Sequence, residues 1–381
     1  MGAMPPRRIA IRKPSALGDI VHALPVLSAL RDLHPRARIS WVVNKSFEPL
    51  LAGHPDLDAT IPFDRGAFKT GVLGATAYSV RFANQLRRER FDLVIDLQGL
   101  LRTGLMCAAT GAPVRVGFAN AREGSRTFYT HRIEVPDADR IHAVDRYWRV
   151  VEALGGGHLT KRFAVPVRDD ERHAVRRELA EYPRPWVAVA AGAKWVTKRW
   201  PPASFAALLA RGQAEFGGTA VLVGASDDIT LSAEIGASVR SVDLTGKTSL
   251  PKLAAVFAEA DAMLANDTGP LHLAAALGVP CVAPYLCTKV ELHGPYVLSL
   301  LVPPSPGGRG VRGEGDSVPQ FPLTPNPPPD GGGGNKAIPT TVACAGSYLK
   351  TCPRGMICMT DLTPDKLWPA FREVLSQCRK N

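Results

Sequence analysis

Long apolar runs are missing from this 381-residue chain: none approaches the ~18–20 residues that a helix needs to cross a bilayer. The opening MGAMPPRR lacks the apolar core of an export signal, and Pro6 stands where a myristoylated Gly2 would want Ser or Thr. A cytoplasmic protein without a lipid anchor is therefore expected. Aromatic residues are scarce at 7%, and none is interleaved with the basic clusters Arg87-Arg88-Glu89-Arg90 and Arg176-Arg177, so these read as solvated helix faces and no nucleic-acid partner is expected. The seven cysteines are odd in number and contain no CxxC pair. That argues for thiols rather than a disulfide framework and against a metal site. The loop at 191–205 has no GxxxxGK[ST] spacing, which excludes a Walker-type phosphate loop there.

What the chain does have is a positive balance of 46 Lys and Arg over 35 Asp and Glu, favouring phosphorylated substrates or an anionic membrane. It also has a regular alternation of short apolar runs and amphipathic stretches. Ile9–Ile11, 38–43, 57–62, 91–96 and 113–118 read as strands separated by helices, the last of them running from His142 to Leu154 and closed by three glycines at 155–157. The polar stretch 158–185 reads as a junction. A second series then begins, with strands at 186–193, 219–224, 241–246, 262–267 and 279–286 and helices between them, and a last helix spans 364–377. Strands alternating with helices imply parallel sheets, so two α/β domains are expected at 1–165 and 166–381, with a ligand at the carboxyl ends of their strands. The Pro- and Gly-rich segment 303–340 is expected to be a disordered, dispensable insertion.

Three places concentrate polar chemistry. In RIAIRKPSALGDIVHALP, a strand turns into a helix whose first turn contains Asp19, where the free N–H groups favour the carboxylate anion. The residue could accept a proton or serve only as a cap. In AGAKWVTKRWPPASF, Thr197, Lys198 and Arg199 stand just before a helix start, a place suited to phosphate oxygens or merely a basic loop. In NDTGPLHLAAALGVP, Asn266, Asp267, Thr268, Gly269 and His272 crowd the end of a strand and the first turn of the next helix. Cys344, Cys352 and Cys358 read as reduced thiols in a compact loop.

Taken in order, KPSALGDIVHALP, FDLVIDLQGLLRTGL, TKRWPPASF, ANDTGPLHLAAALGVP and the tail CP…CM…LTPDKL resemble the lipopolysaccharide heptosyltransferases, and the ARE at 121–123 and HAVDRY at 142–147 are most similar to the heptosyltransferase I branch. The resemblance implies a GT-B fold of two Rossmann-like domains facing a cleft, the N-terminal one for the acceptor and the C-terminal one for the nucleotide sugar. It implies metal-independent, inverting transfer from an ADP-heptose donor to a phosphorylated Kdo-lipid A acceptor, without a cofactor, at the cytoplasmic face of the inner membrane. On this basis Asp19 is the expected general base, and Lys13 and Arg122 are acceptor residues. Thr197, Lys198, Asp267, Thr268, Gly269 and His272 are the expected donor residues. Where the family usually carries a Phe-Gly-Pro-Thr-like run, this chain reads Pro284-Tyr285-Leu286-Cys287-Thr288. A transferase for another sugar, a GT-B-shaped nucleotide-sugar epimerase and a non-catalytic nucleotide-sugar binder are the alternatives.

Overall fold

The computed structural model describes residues 5–296 and 334–378. Its strands are β1 (Arg8–Arg12), β2 (Arg38–Asn44), β3 (Ala59–Phe63), β4 (Leu93–Asp96), β5 (Val114–Phe118), β6 (His131–Ile133), β7 (Trp186–Ala190), β8 (Thr219–Leu222), β9 (Ser241–Asp243), β10 (Ala262–Ala265), β11 (Cys281–Tyr285) and β12 (Lys336–Pro339). They form two six-stranded sheets, ordered β3-β2-β1-β4-β5-β6 and β12-β11-β10-β7-β8-β9. Every pairing in both sheets is parallel. The strands that read as apolar runs are buried on both faces, as Ile9, Ala10 and Ile11 in β1 and all five residues of β7 illustrate.

Chain order reverses between β1 and β4 in the first sheet and between β7 and β10 in the second. Each reversal leaves a crevice at the carboxyl ends of two neighbouring strands. The loops and helix starts that open there carry Lys13 and Asp19 after β1, Lys198 after β7 and Asp267 after β10. Residues 20–30 of the helix Leu17–Leu33 are buried on every side, because the helix packs on the helices Ala143–Val151 and Gly269–Ala276, the second of which belongs to the other sheet. One core cluster accordingly runs through both halves.

The charged stretch near 170 forms the helix Asp169–Glu178, with acids in its first turn and arginines in its last. Arg172 and Arg176 each hold Glu259 at 2.6 Å, fastening this helix to Leu250–Glu259 of the second half. The expected disordered insertion needs correction at its end. Lys336–Pro339 is edge strand β12, hydrogen-bonded to β11, with Asn335 accepting from the Cys281 N–H and Thr340 donating to Asp361. Its last residue is proline, which an edge strand tolerates. The rest of that segment, 303–333, lies outside the described residues.

Candidate active site

Asp19 is the third residue of the helix Leu17–Leu33, and its Oδ2 accepts the Ala16 N–H at 3.2 Å. Its Oδ1 accepts from the Tyr147 hydroxyl at 3.2 Å and lies 3.7 Å from Lys13 Nζ. Lys13 is buried, reaches Leu97 O and lies over the Tyr147 ring, while its own carbonyl is held by Trp41 Nε1. Burial is the largest influence on Asp19 and works to raise its pKa, but Lys13, the Ala16 N–H and Tyr147 outweigh it, so the group titrates below the ordinary aspartate range. Burial likewise works against the Lys13 charge, and Asp19 and Tyr147 more than restore it. The pair is therefore ionised at neutral pH, with 40% of the Asp19 side chain still open to solvent.

On the facing half, Asp267 is the centre. Lys198 Nζ donates to its Oδ2 at 2.5 Å, Thr288 Oγ1 donates to the same atom at 2.6 Å, and His272 Nε2 lies 3.6 Å from its Oδ1. Burial acts to raise the Asp267 pKa, and His272 and Lys198 reverse that and hold it well below the carboxylate range. Asn266 fixes the surrounding loops by donating to Ala191 O and accepting from the Trp200 N–H. Thr268 occupies the N-cap position of the helix Gly269–Ala276 without making a side-chain cap bond, so the positive end of this helix is left to other partners. His272 Nδ1 is buried with no partner among the described residues.

The two constellations touch. A Cβ on Gly18 would stand 2.6 Å from His272 Cδ2, and one on Gly269 would stand 2.8 Å from Leu17 Cβ. Only glycine lets the first turn that carries Asp19 meet the first turn that carries His272. Beside this contact, the His22 ring packs edge-on against His272 and His142, with centroids 4.4 and 5.0 Å away. His142 Nδ1 accepts the Val144 N–H and its Nε2 bonds Gly294 O, a second tie between the halves. A cavity of about 490 Å³ opens between the halves, lined by Asp139 and Arg140 on one side and Thr288 and Lys289 on the other.

The structure thus brings together Lys13 with Asp19, and Lys198, Asp267, Thr268, Gly269 and His272 with one another. Thr197 is turned elsewhere: its hydroxyl donates to Leu349 O at 2.6 Å and helps line a 270 Å³ cavity with Cys287, Cys344, Cys352 and Cys358. All seven cysteines are free thiols, and among the described residues no group of three or more His, Cys, Asp or Glu is placed to hold a metal ion. Arg122 is exposed in the loop after β5, tied by its N–H to Gly99 O, with no ion pair to Asp19 among the described residues. Sequence reasoning missed Tyr147, His22 and Thr288 as members of the site. Tyr147 sits in HAVDRY and Thr288 ends the run that departs from the family pattern, so both lay inside motifs already singled out.

The model of glycosyltransferase family 9 (heptosyltransferase) matches residues 79–301. The chain is 30% identical over 297 residues to lipopolysaccharide heptosyltransferase 1 of Pseudomonas aeruginosa, covering 76% of this chain and 81% of that protein. It is 26% identical over 300 residues to lipopolysaccharide heptosyltransferase 1 of Escherichia coli K12, covering 76% of this chain and 91% of that one. In fold it is similar to a family 9 glycosyltransferase from Veillonella parvula, with a TM-score of 0.78 at 20% identity over 97% of this chain and 98% of that one. It is also similar to the E. coli heptosyltransferase WaaC with ADP, with a TM-score of 0.70 at 21% identity over 96% and 99%. The two facing Rossmann-like halves are the GT-B architecture of these enzymes, and the chain belongs to glycosyltransferase family 9, the heptosyltransferases.

Proposed function

We propose that this chain transfers heptose from ADP-heptose to a Kdo-lipid A acceptor in lipopolysaccharide core synthesis, the reaction of heptosyltransferase I. The observation that carries the reading is the contact of the Asp19 turn with the Gly269–His272 turn, which sets a carboxylate base beside a cationic, N–H-rich cradle. The acceptor hydroxyl attacks the anomeric carbon from the face opposite ADP. As the new C–O bond forms, the bond to the β-phosphate oxygen breaks, ADP departs with the electron pair, and the hydroxyl proton passes to Asp19. Lys13 and Tyr147 hold that carboxylate ionised and aimed.

The departing diphosphate is stabilised by Lys198 and the N-terminus of the helix beginning at Gly269, whose first turn carries His272. Asp267 does not face the phosphates as a ligand. It holds Lys198 and Thr288 in place until the donor arrives. Thr197 supports the donor side through Leu349, and Arg122 serves the acceptor's phosphorylated end. Because fixed positive groups already balance the leaving charge, no metal is required. Acceptor binding belongs to residues 1–165 and donor binding to 166–381.

The test is to incubate the purified chain with ADP-heptose and Kdo-lipid A and weigh the lipid product. A gain of one heptose supports the reading. Consumption of ADP-heptose without an acceptor, or transfer from a different nucleotide sugar only, contradicts it.

A further inference from the structure

We propose that the loop bearing Cys352 is a site of thiol–disulfide exchange, and that its oxidation by a low-molecular-weight disulfide loosens the donor cradle. The coupling to the donor rests on the reading of Lys198 as a phosphate partner; the exchange chemistry does not. Cys287, Cys344, Cys352 and Cys358 line one cavity of 270 Å³, so four of the chain's seven cysteines gather there. Cys344 and Cys352 are half-buried and reachable from solvent, whereas Cys287 and Cys358 are buried.

Cys352 is the thiol placed to attack. The turn Cys352-Pro353-Arg354-Gly355-Met356, left-handed at its last two residues, brings the Arg354 and Met356 N–H groups to the Cys352 sulfur at 3.4 and 3.2 Å. These two donors share the negative charge that the sulfur carries as it attacks. Cys281 and Cys378 instead donate to carbonyl oxygens. In the exchange the Cys352 sulfur, as thiolate, bonds to one sulfur of the disulfide, whose S–S bond breaks and whose second sulfur leaves with the electron pair. Cys358 lines the same cavity and completes the reaction. Its sulfur gives its proton to solvent, bonds to the Cys352 sulfur and displaces the remaining small thiol. Two protein thiols are thereby oxidised by two electrons, and the disulfide is reduced to two thiols. Burial, followed by negative charge at Cys344 and Cys352, holds the Cys358 thiol up. Once Cys352 is in the mixed disulfide, its share of that opposition is gone.

The thiol loop is fastened to both arms of the donor cradle. Leu349 O accepts from Thr197, and Lys350 lies over the Trp195 ring that Lys198 also faces, at 5.7 and 5.0 Å from its centroid. The Tyr348 N–H donates to Cys287 O at 2.9 Å, next to Thr288. Lys198 and Thr288 are the groups that donate to Asp267 Oδ2. Cys358 belongs to the helix Ile357–Asp361, which is packed into the core of the second half and pinned by Thr340 and Thr341 at Asp361. A Cys352–Cys358 bond therefore draws the loop towards the helix, and the contacts at Thr197, Trp195 and Cys287 give way.

The test is to incubate the full chain with oxidised glutathione and digest it with trypsin without reduction. Cleavage after Lys350, Arg354 and Lys366 leaves Cys352 in peptide 351–354 and Cys358 in peptide 355–366, which should be recovered as one linked species and separate on adding dithiothreitol. Calorimetry should show ADP-heptose affinity lowered by about tenfold in the oxidised chain, the scale of one charge-assisted hydrogen bond, and restored by dithiothreitol. Cys352→Ser should bind ADP-heptose as the reduced wild type does and be indifferent to oxidised glutathione, and Cys358→Ala should stop with glutathione on Cys352. The proposal is overturned by an unmodified Cys352, by linkage of other thiols in place of this pair, by a metal ion bound at the four thiols of the purified chain, or by equal donor affinity of the oxidised and reduced chains. Should the reduced chain fail to bind ADP-heptose at all, the donor reading fails and the peptide linkage still decides the exchange.

Discussion

Asp19→Asn separates a catalytic base from a helix cap. The amide is nearly the size of the carboxylate and keeps an oxygen for the Ala16 N–H, the bond that this third helical residue makes back to the N-cap. What it loses is the negative charge 3.7 Å from Lys13 and the ability to take a proton. Breaking a fully buried pair costs ~3–5 kcal/mol, but 40% of this side chain meets solvent, and the discounted cost is about 1–2 kcal/mol, a melting shift of a few degrees. Turnover should fall far more, by about 10²–10⁴-fold, the value of general base catalysis. Donor affinity should barely move, because the proposed ADP cradle is on the other half. The assay is single-turnover transfer alongside calorimetric ADP-heptose binding and a melting curve. In the wild type, the acid limb of the rate should fall below the ordinary aspartate range, since Asp19 titrates there. Near-wild-type turnover with a lowered melting point would refute the assignment and leave Asp19 as a structural partner of Lys13.

Lys198→Ala should weaken ADP-heptose binding by roughly 1.5–3 kcal/mol in calorimetry, as expected for a lost charge-assisted hydrogen bond; unchanged affinity would remove Lys198 from the cradle. Transfer should survive excess EDTA in full, and strong inhibition would restore a metal to the mechanism. His142 is buried and its pKa is pushed down to about 3, so between pH 6.5 and that value the unfolded chain binds a proton that the folded one refuses. Stability should therefore decline as pH falls below 6.5, and His142→Gln should flatten the decline seen in melting temperature; an unaltered slope would show that other groups cause it. Deleting 303–330 with a short linker should leave the melting temperature within a few degrees, whereas removing 336–340 as well takes β12 and the Thr340–Asp361 bond with it and should lower it clearly.

Much of this architecture could be read from periodicity. Fully buried strands such as β1 and β7 write continuous apolar runs, and the helix Pro202–Phe216 announces its start with proline and its end with glycine. Strand β12 could not be read, because four residues ending in proline carry little strand preference, and their order comes from pairing with β11. Strand β6, three residues paired only with β5, was missed for the same reason. At the site, Asp19, Lys198, Asp267 and His272 stood out because they crowd turns between strand and helix. Tyr147 could not, since it reaches Asp19 from 128 residues away. The meeting of Gly18 with His272 is a packing fact between two halves, and no local pattern encodes it.

The central claim is a single displacement between a donor held by one half and an acceptor activated by the other. Its most direct test is the anomeric configuration of the heptose linkage in the enzymatic product, read by NMR against that of the ADP-heptose supplied. One displacement assisted by Asp19 predicts inversion. A retained configuration would contradict it, since that outcome needs a second displacement or a front-face route that this arrangement of Asp19 and the Gly269 helix does not provide.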